Sequence, residues 1–560
     1  MVRIVPHIYA IQALAALQCV GSLVLGADTD RVVSVDASNP IGRFKNLQGT
    51  NIADTGASLG TDNIHNKDLV LAELWPEYEL EHVMIYSWPE VFLGFSITGD
   101  AADALDNANY NWTEADDWMH FVTSHGAKAT IQYGGSVLHS SPETAGKVGY
   151  MITDRYMNGA HGSGFYDAIE LFDVGAEADL QNTPDVQDDY DTLFPIFAAI
   201  AYGVANASDK AGVGAWGGNR IWTSQENYTL YNPFVSRFYK DCKEQNVPLK
   251  AATFHFSNAQ FSFDPYDVRR VTENFREQVL IPAGFPDLPI WMTEYGPNPS
   301  GVNPTSKDAL DAYNDPAFTA SFTIGTAMYS QDSPIAEAFT WPGFGWGGSG
   351  AGNATFAPWF EKSTNGSAIA LNQASAWALQ AQLLRETPQR ISVEEGSSSD
   401  GFAVLAGRSL AGDTVQVLVN NYQPSYDMIR EITDGMVPYI NASTAAYPLL
   451  QDNGLFNGEQ SCFNTNNTRF IVAVCNTFPN ATLRENTTKA YRLIITNLPW
   501  SDSDVYEVSL QRVGGQNNDG SLSQSSYPLQ TGRGSSVDIY LPIPANAQDL
   551  VTVGRIAHEV

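Results

Sequence analysis

Two glutamates in this chain stand where an apolar run gives way to a loop. Pro289-Ile290-Trp291-Met292-Thr293-Glu294-Tyr295-Gly296 is apolar for four residues and then reaches a carboxylate, an aromatic and a glycine. Ile169-Glu170-Leu171-Phe172-Asp173-Val174-Gly175-Ala176-Glu177 has the same build. A buried strand that ends in Glu presents that side chain at a sheet rim, within reach of a substrate. Two such carboxylates can work on a glycosidic bond: one protonates the leaving oxygen, and the other attacks the anomeric carbon or activates water. A gap of about 5 Å implies retention through a covalent intermediate, and a wider one implies inversion. A single strand-end Glu is as readily a solvated loop residue; a pair at compatible spacing favours a site.

The elements that must position them alternate in type. Between about 45 and 380, candidate strands are Val83 to Ser87, Ala129 to Tyr133, Leu171 to Val174, Gly212 to Trp216, Ala251 to Phe256, Ile290 to Thr293 and Ala336 to Thr340. Amphipathic segments lie between them, among them Asp191 to Ala205, Asn232 to Gln245 and Asp267 to Val279. Strands alternating with helices imply parallel βαβ units, and about eight units fit a (β/α)8 TIM barrel. A doubly wound sheet is the alternative, weakened by the lack of a Gly-rich phosphate loop. In a barrel all strands point their C-terminal ends at one face. Glu177 and Glu294, 117 residues apart, are then about three units apart, on strands 4 and 7. Gln132 closes strand 3, Trp216 and Asn219 close strand 5, and Trp341 follows strand 8 in a Gly-rich aromatic loop suited to stacking on a sugar face.

After residue 385 the texture changes to short strands separated by turn residues. Arg390 to Val393, Phe402 to Ala406, Thr414 to Val419, Tyr491 to Ile495, Tyr506 to Leu510 and Ser536 to Leu541 imply an antiparallel β-sandwich. The expected organisation is a signal peptide at 1–27, an N-terminal strand at 28–45 joining the sandwich, a catalytic barrel at 46–384 and the sandwich at 385–560. An Asn-rich insertion occupies about 425–487.

Composition narrows the function classes. The 560-residue chain carries 62 acidic and 30 basic residues, a formal charge of −32. That balance argues against nucleic acid and anionic membranes as partners. Arg3, the apolar run Ile11 to Leu25 and the small pair Gly26-Ala27 form a secretory signal pattern, so a secreted, extracellular protein is expected. Asn-x-Ser/Thr occurs at Asn111, Asn206, Asn227, Asn353, Asn365, Asn441, Asn466, Asn480 and Asn486, which suggests a glycoprotein. Cys462 and Cys475 enclose a short loop, and a disulfide between them is expected. Cys242 is left over as a buried free thiol. No Cys/His cluster has zinc spacing, and no metal or cofactor is expected. Oligomeric state is not readable here.

The chain resembles the clan A retaining glycoside hydrolases, and most of all glycoside hydrolase family 39, which holds β-xylosidases and α-L-iduronidases. Trp291-Met292-Thr293-Glu294-Tyr295 is similar to that family's strand-7 motif, apolar-Thr-Glu-aromatic/polar. Phe172-Asp173-Val174-Gly175-Ala176-Glu177-Ala178-Asp179-Leu180 is similar to its strand-4 motif, Phe-Glu-Val-Trp-Asn-Glu-Pro-Asp-Leu. The resemblance implies Glu294 as nucleophile and Glu177 as general acid/base. It places His255 on strand 6 lining the site, with a packed core histidine as the other reading. It places Trp341 under the sugar, and Tyr295 either beside the nucleophile or in plain packing. The chain departs from the family at strand 4, where Gly175, Ala176 and Ala178 replace Trp, Asn and Pro. The family's Asn holds the sugar 2-hydroxyl; here Asn219 or Gln132 takes that role, or the substrate differs, or the site is weakened. Similarity to family 79 β-glucuronidases, whose motif ends Gly-Asn-Glu-Pro-Asp, is a further reading. The expectation is therefore a retaining glycoside hydrolase acting on an oligosaccharide or polysaccharide of plant or fungal walls. A catalytically weak glycan-binding wall protein on the same fold is the alternative.

Overall fold

The computed structural model describes residues 31–54, 75–86, 103–134, 140–175, 186–218, 233–257, 265–296, 316–340, 346–347, 359–362, 368–394, 396–398, 401–423, 489–514 and 527–556. The signal segment, Cys462, Cys475 and the sequons at Asn227, Asn353, Asn365, Asn441, Asn466, Asn480 and Asn486 lie outside the described residues. Asn111 and Asn206 are described, and both are exposed.

Eight parallel strands close into a barrel. They are β2 (Gly49–Asp54), β3 (His82–Tyr86), β4 (Lys128–Tyr133), β5 (Ile169–Val174), β6 (Gly212–Gly218), β7 (Leu249–Ser257), β8 (Ile290–Gly296) and β9 (Ile335–Thr340). A strand covered on both faces needs apolar residues at nearly every position, which is why these runs stand out in the sequence. Helices Thr113–Ser124, Pro142–Asn158, Val186–Ala207, Pro233–Glu244, Asp267–Phe275 and Pro316–Ser330 follow strands and bury their apolar faces on the barrel. Pro142–Asn158 has the sequence signals its ends require. Ser141 caps the first turn through the Thr144 N–H at 3.2 Å, and Gly159 ends the helix in the left-handed region at φ 74°.

The barrel interior changes character along its axis. Met84, Leu171, Ala251, Trp291 and Phe339 form an apolar plug. At the N-terminal end, ionisable groups close the barrel: His82 Nε2 lies 3.6 Å from Glu337, His82 Nδ1 4.0 Å from Glu170, and Lys250 Nζ 3.2 Å from Glu170. Burial, with Glu170 and Glu81 nearby, pushes the Glu337 carboxyl up to about 8, and burial lowers His82. Toward the C-terminal end the interior is polar, with Thr130, Gln132, Asp173, Thr253 and Thr293 all at 2% exposure or less.

The second domain is one continuous nine-stranded sheet curled on itself. Its strands are β1 (Arg31–Arg43), β13 (Gln389–Glu394), β14 (Phe402–Arg408), β15 (Thr414–Asn421), β16 (Lys489–Thr496), β17 (Val505–Val513), β18 (Tyr527–Arg533), β19 (Val537–Ile543) and β20 (Ala547–Arg555). Their order is β18-β17-β20-β15-β14-β13-β1-β16-β19. Tyr491 of β16 donates to Asp549 of β20 at 3.1 Å, across strands far apart in that order, so the two halves face each other over a shared core. The expected antiparallel pattern holds except at β1, which pairs parallel to β16 and antiparallel to β13. The N-terminal segment thus enters this sheet as a thirteen-residue strand. A small sheet of β10 (Trp346–Gly347), β11 (Phe360–Lys362) and β12 (Ala368–Ala370) follows the barrel.

The two domains share one core. Ala403, Leu405, Leu418, Tyr422 and Leu550 of the sheet cluster with the barrel's helix residues. At their centre the buried Asn420 accepts from Ser321 Oγ at 2.9 Å and Gln548 Nε2 at 3.0 Å, and donates to the Ser321 carbonyl at 3.0 Å. Each such bond contributes about 1 kcal/mol net, and leaving one unmade costs more. Lys45, just after β1, donates to the carbonyls of Ser330, Ser333 and Ile335 at 3.2, 2.6 and 2.9 Å. It thereby neutralises the negative end of helix Pro316–Ser330.

Candidate active site

Glu294 faces the barrel interior because β8 carries an extra residue. Phe254 and His255, consecutive on β7, pair with Met292 and Glu294. Ala338 and Thr340, two apart on β9, pair with Met292 and Tyr295, three apart on β8. Both neighbours locate the same bulge at Thr293–Glu294. Simple alternation from the inward Trp291 would send Glu294 outward and Tyr295 inward; a one-residue insertion reverses both. Glu294 accordingly reaches the polar interior. Of the two readings of Tyr295, beside the nucleophile or in plain packing, the structure places it in packing, at 1% exposure in the core between barrel and helices. No hydrogen bond joins it to Glu294 among the described residues.

The carboxylate is 6% exposed and held from two sides. Gln132 Nε2 donates to Oε1 at 3.2 Å, and His255 Nδ1 lies 3.4 Å from Oε2. Burying a carboxylate costs several kcal/mol unless it is paired or hydrogen-bonded; these two groups supply that compensation and fix the plane of the carboxylate. The His255 contact becomes an ion pair only when the imidazole is protonated. Gln132 belongs to β4 and Glu294 to β8, four strands apart around an eight-stranded closure, so the bond spans the mouth. The structure thus brings together Glu294, His255 and Gln132.

The strand assignments follow the barrel order: β5 is its fourth strand and β8 its seventh. Glu177 itself, Asn219 and Trp341 lie outside the described residues. Trp216 falls on β6, and its side chain is likewise outside them. β5 ends at Val174, three residues before Glu177. The next residue, Gly175, has φ 78°, a left-handed conformation that L side chains resist, and its N–H donates to the Tyr133 carbonyl at 2.8 Å. Glycine in place of the family's Trp therefore has a backbone cause. Cys242 is buried with a free thiol, and burial pushes its pKa up, as suits an inert core residue.

Sequence reasoning missed two interior residues, Asp173 and Thr253. Thr253 Oγ1 donates to Asp173 Oδ1 at 2.6 Å with both residues buried. Their one sequence signal is polarity inside otherwise apolar strands.

Among solved structures, the chain is similar over 95% of its length to the whole of a glucosidase from Croceicoccus marinus, with TM-score 0.65 and 22% identity. A monomeric β-xylosidase from Caulobacter crescentus matches over 94% of this chain and all of its own, with TM-score 0.58 and 15% identity. A glycoside hydrolase family 39 enzyme from Xanthomonas axonopodis pv. citri matches over 95% and 98%, with TM-score 0.59 and 15% identity. No protein-family model and no curated protein matches the sequence. At these identities the likeness establishes the shared two-domain fold, a barrel with an appended β-domain.

Proposed function

We propose that the protein is a secreted retaining glycoside hydrolase acting on a plant or fungal wall glycan. Glu294 is its nucleophile and Glu177 its general acid/base. The observation that carries this reading is the buried Glu294 carboxylate, turned into the barrel mouth by a bulge and held by Gln132 and His255. Similarity to solved glycosidases over nearly the whole chain supports the same reaction class.

The reaction runs in two displacements. Glu177 protonates the leaving oxygen while Glu294 attacks the anomeric carbon, giving a glycosyl-enzyme ester. Glu177 then takes a proton from water as that water attacks the ester from the other side, which restores the starting configuration. Gln132 and His255 hold Glu294 for the first attack and stabilise its carboxylate as it leaves in the second.

A weak glycan-binding role is favoured by Ala176, which lacks the amide side chain of the Asn it replaces in the motif. The two readings separate on a panel of 4-nitrophenyl glucosides, xylosides, glucuronides and arabinosides together with wall polysaccharides. Turnover of at least one, with proton NMR showing a first product of unchanged anomeric configuration, is the expected result. Binding without turnover, or an inverted first product, would sink the retaining enzyme.

A further inference from the structure

A second buried carboxylate lies in the barrel interior, and no step of the mechanism uses it. Asp173 of β5 is fully buried and accepts from Thr253 of β7 at 2.6 Å. β6 runs between these two strands, so the bond passes over it. Gly214, the ladder partner of Asp173 on β6, makes that possible. A Cβ at Gly214 would stand 2.4 Å from Thr253 Cγ2, closer than carbon atoms approach, and 3.0 Å from Leu171 Cδ2, a tight contact. Residues on three strands must therefore agree for this one bond to form.

Every end of it leads toward the site. On β4 the ladder partner of Asp173 is Gln132, the donor to Glu294 Oε1. On β7, Thr253 precedes His255 by two residues and shares its inward face. On β5, Glu177 follows Asp173 by four residues. A buried carboxylate is costly to keep, and barrel interiors are commonly filled by branched apolar residues. A polar strut at this place is better explained by positioning than by packing.

We propose that Asp173 and Thr253 are positioning residues. They fix the separation between the strand leading to Glu177 and the strand carrying His255. Through Gln132 and His255 they aim the Glu294 carboxylate. This rests on the glycosidase reading above.

The test uses the full chain and whichever glycoside the wild-type protein turns over. Thr253→Val keeps the side-chain shape and removes the hydroxyl; a misplacement of about 1 Å costs on the order of 100-fold. The expected result is a kcat lowered about 100-fold with KM within about threefold, and recovery of kcat to within about fivefold in Thr253→Ser. An unchanged kcat in Thr253→Val, or an equal loss in Thr253→Ser, overturns the proposal and leaves the role of Glu294 standing. A wild-type protein without turnover overturns both. If Thr253→Val does not fold, Thr253→Cys carries the test, because its thiol is a weak donor of similar size. At least a tenfold loss in kcat with KM held is then expected, and wild-type kcat overturns the proposal.

Discussion

Glu294→Gln lowers kcat about 10,000-fold or more on every glycoside the protein cleaves, and leaves the fold intact. The amide keeps the shape of the carboxylate and can still accept from Gln132 Nε2, so the 3.2 Å contact survives. It cannot form the glycosyl ester, because an amide oxygen is a poor nucleophile and carries no charge to stabilise the oxocarbenium-like transition state. Loss of a nucleophile that acts as part of a unit removes most of the catalysis at once, here about 5.5 kcal/mol of transition-state stabilisation at 1.36 kcal/mol per tenfold. Burial adds to the contrast: the neutral amide is cheaper to desolvate than the carboxylate, so the thermal midpoint holds or rises. Steady-state kinetics beside a melting curve checks both parts. A variant within tenfold of wild-type kcat would show that another group attacks the sugar.

Glu177→Gln has a different signature, because an acid/base serves both steps. With a glycoside whose leaving group needs a proton, kcat/KM is expected to fall by about 100- to 10,000-fold, the usual range for general acid catalysis. With a dinitrophenyl leaving group, which departs without a proton, glycosylation is spared and hydrolysis of the ester becomes slow. The intermediate then accumulates and KM drops together with kcat. Azide, a nucleophile that needs no base, restores kcat and yields a glycosyl azide of retained configuration. Equal losses on both leaving groups, with no response to azide, would remove Glu177 from the acid/base role. That outcome would move the search to other carboxylates near the end of β5.

Much of this was legible in the sequence, for identifiable reasons. Seven barrel strands were apparent because a parallel strand buried on both faces is nearly continuous in apolar residues. Gly49–Asp54, Gly-Thr-Asn-Ile-Ala-Asp, was not apparent: its buried Thr50 and Asn51 face polar surroundings. In the second domain Tyr527–Arg533 and Ala547–Arg555 were also missed. The first contains Pro528 and Gly532 and lies at the sheet edge, where proline is tolerated. The second is internal, but its buried Gln548 and Asp549 interrupt the apolar pattern.

At the site, Gln132 and Glu294 were legible as strand ends, which a parallel barrel delivers to one face, while His255 was legible only through the family resemblance. Their orientation was not legible. A bulge adds one residue to a strand without changing its composition, so nothing in Trp291 to Tyr295 announces that Glu294 faces in and Tyr295 out. The bond from Thr253 to Asp173 joins residues 80 apart and depends on a glycine of a third strand. Such a contact emerges only when the barrel has closed.

The most direct test of the central claim is covalent trapping. The wild-type protein is incubated with the 2-deoxy-2-fluoro derivative of its preferred glycoside, carrying a dinitrophenyl leaving group, and the labelled peptide is sequenced by mass spectrometry. The electron-withdrawing fluorine slows both steps, while the activated leaving group keeps formation of the ester ahead of its hydrolysis. The predicted result is a single adduct on Glu294, absent from Glu294→Gln. An adduct on any other carboxylate, or inactivation without an adduct, would contradict it.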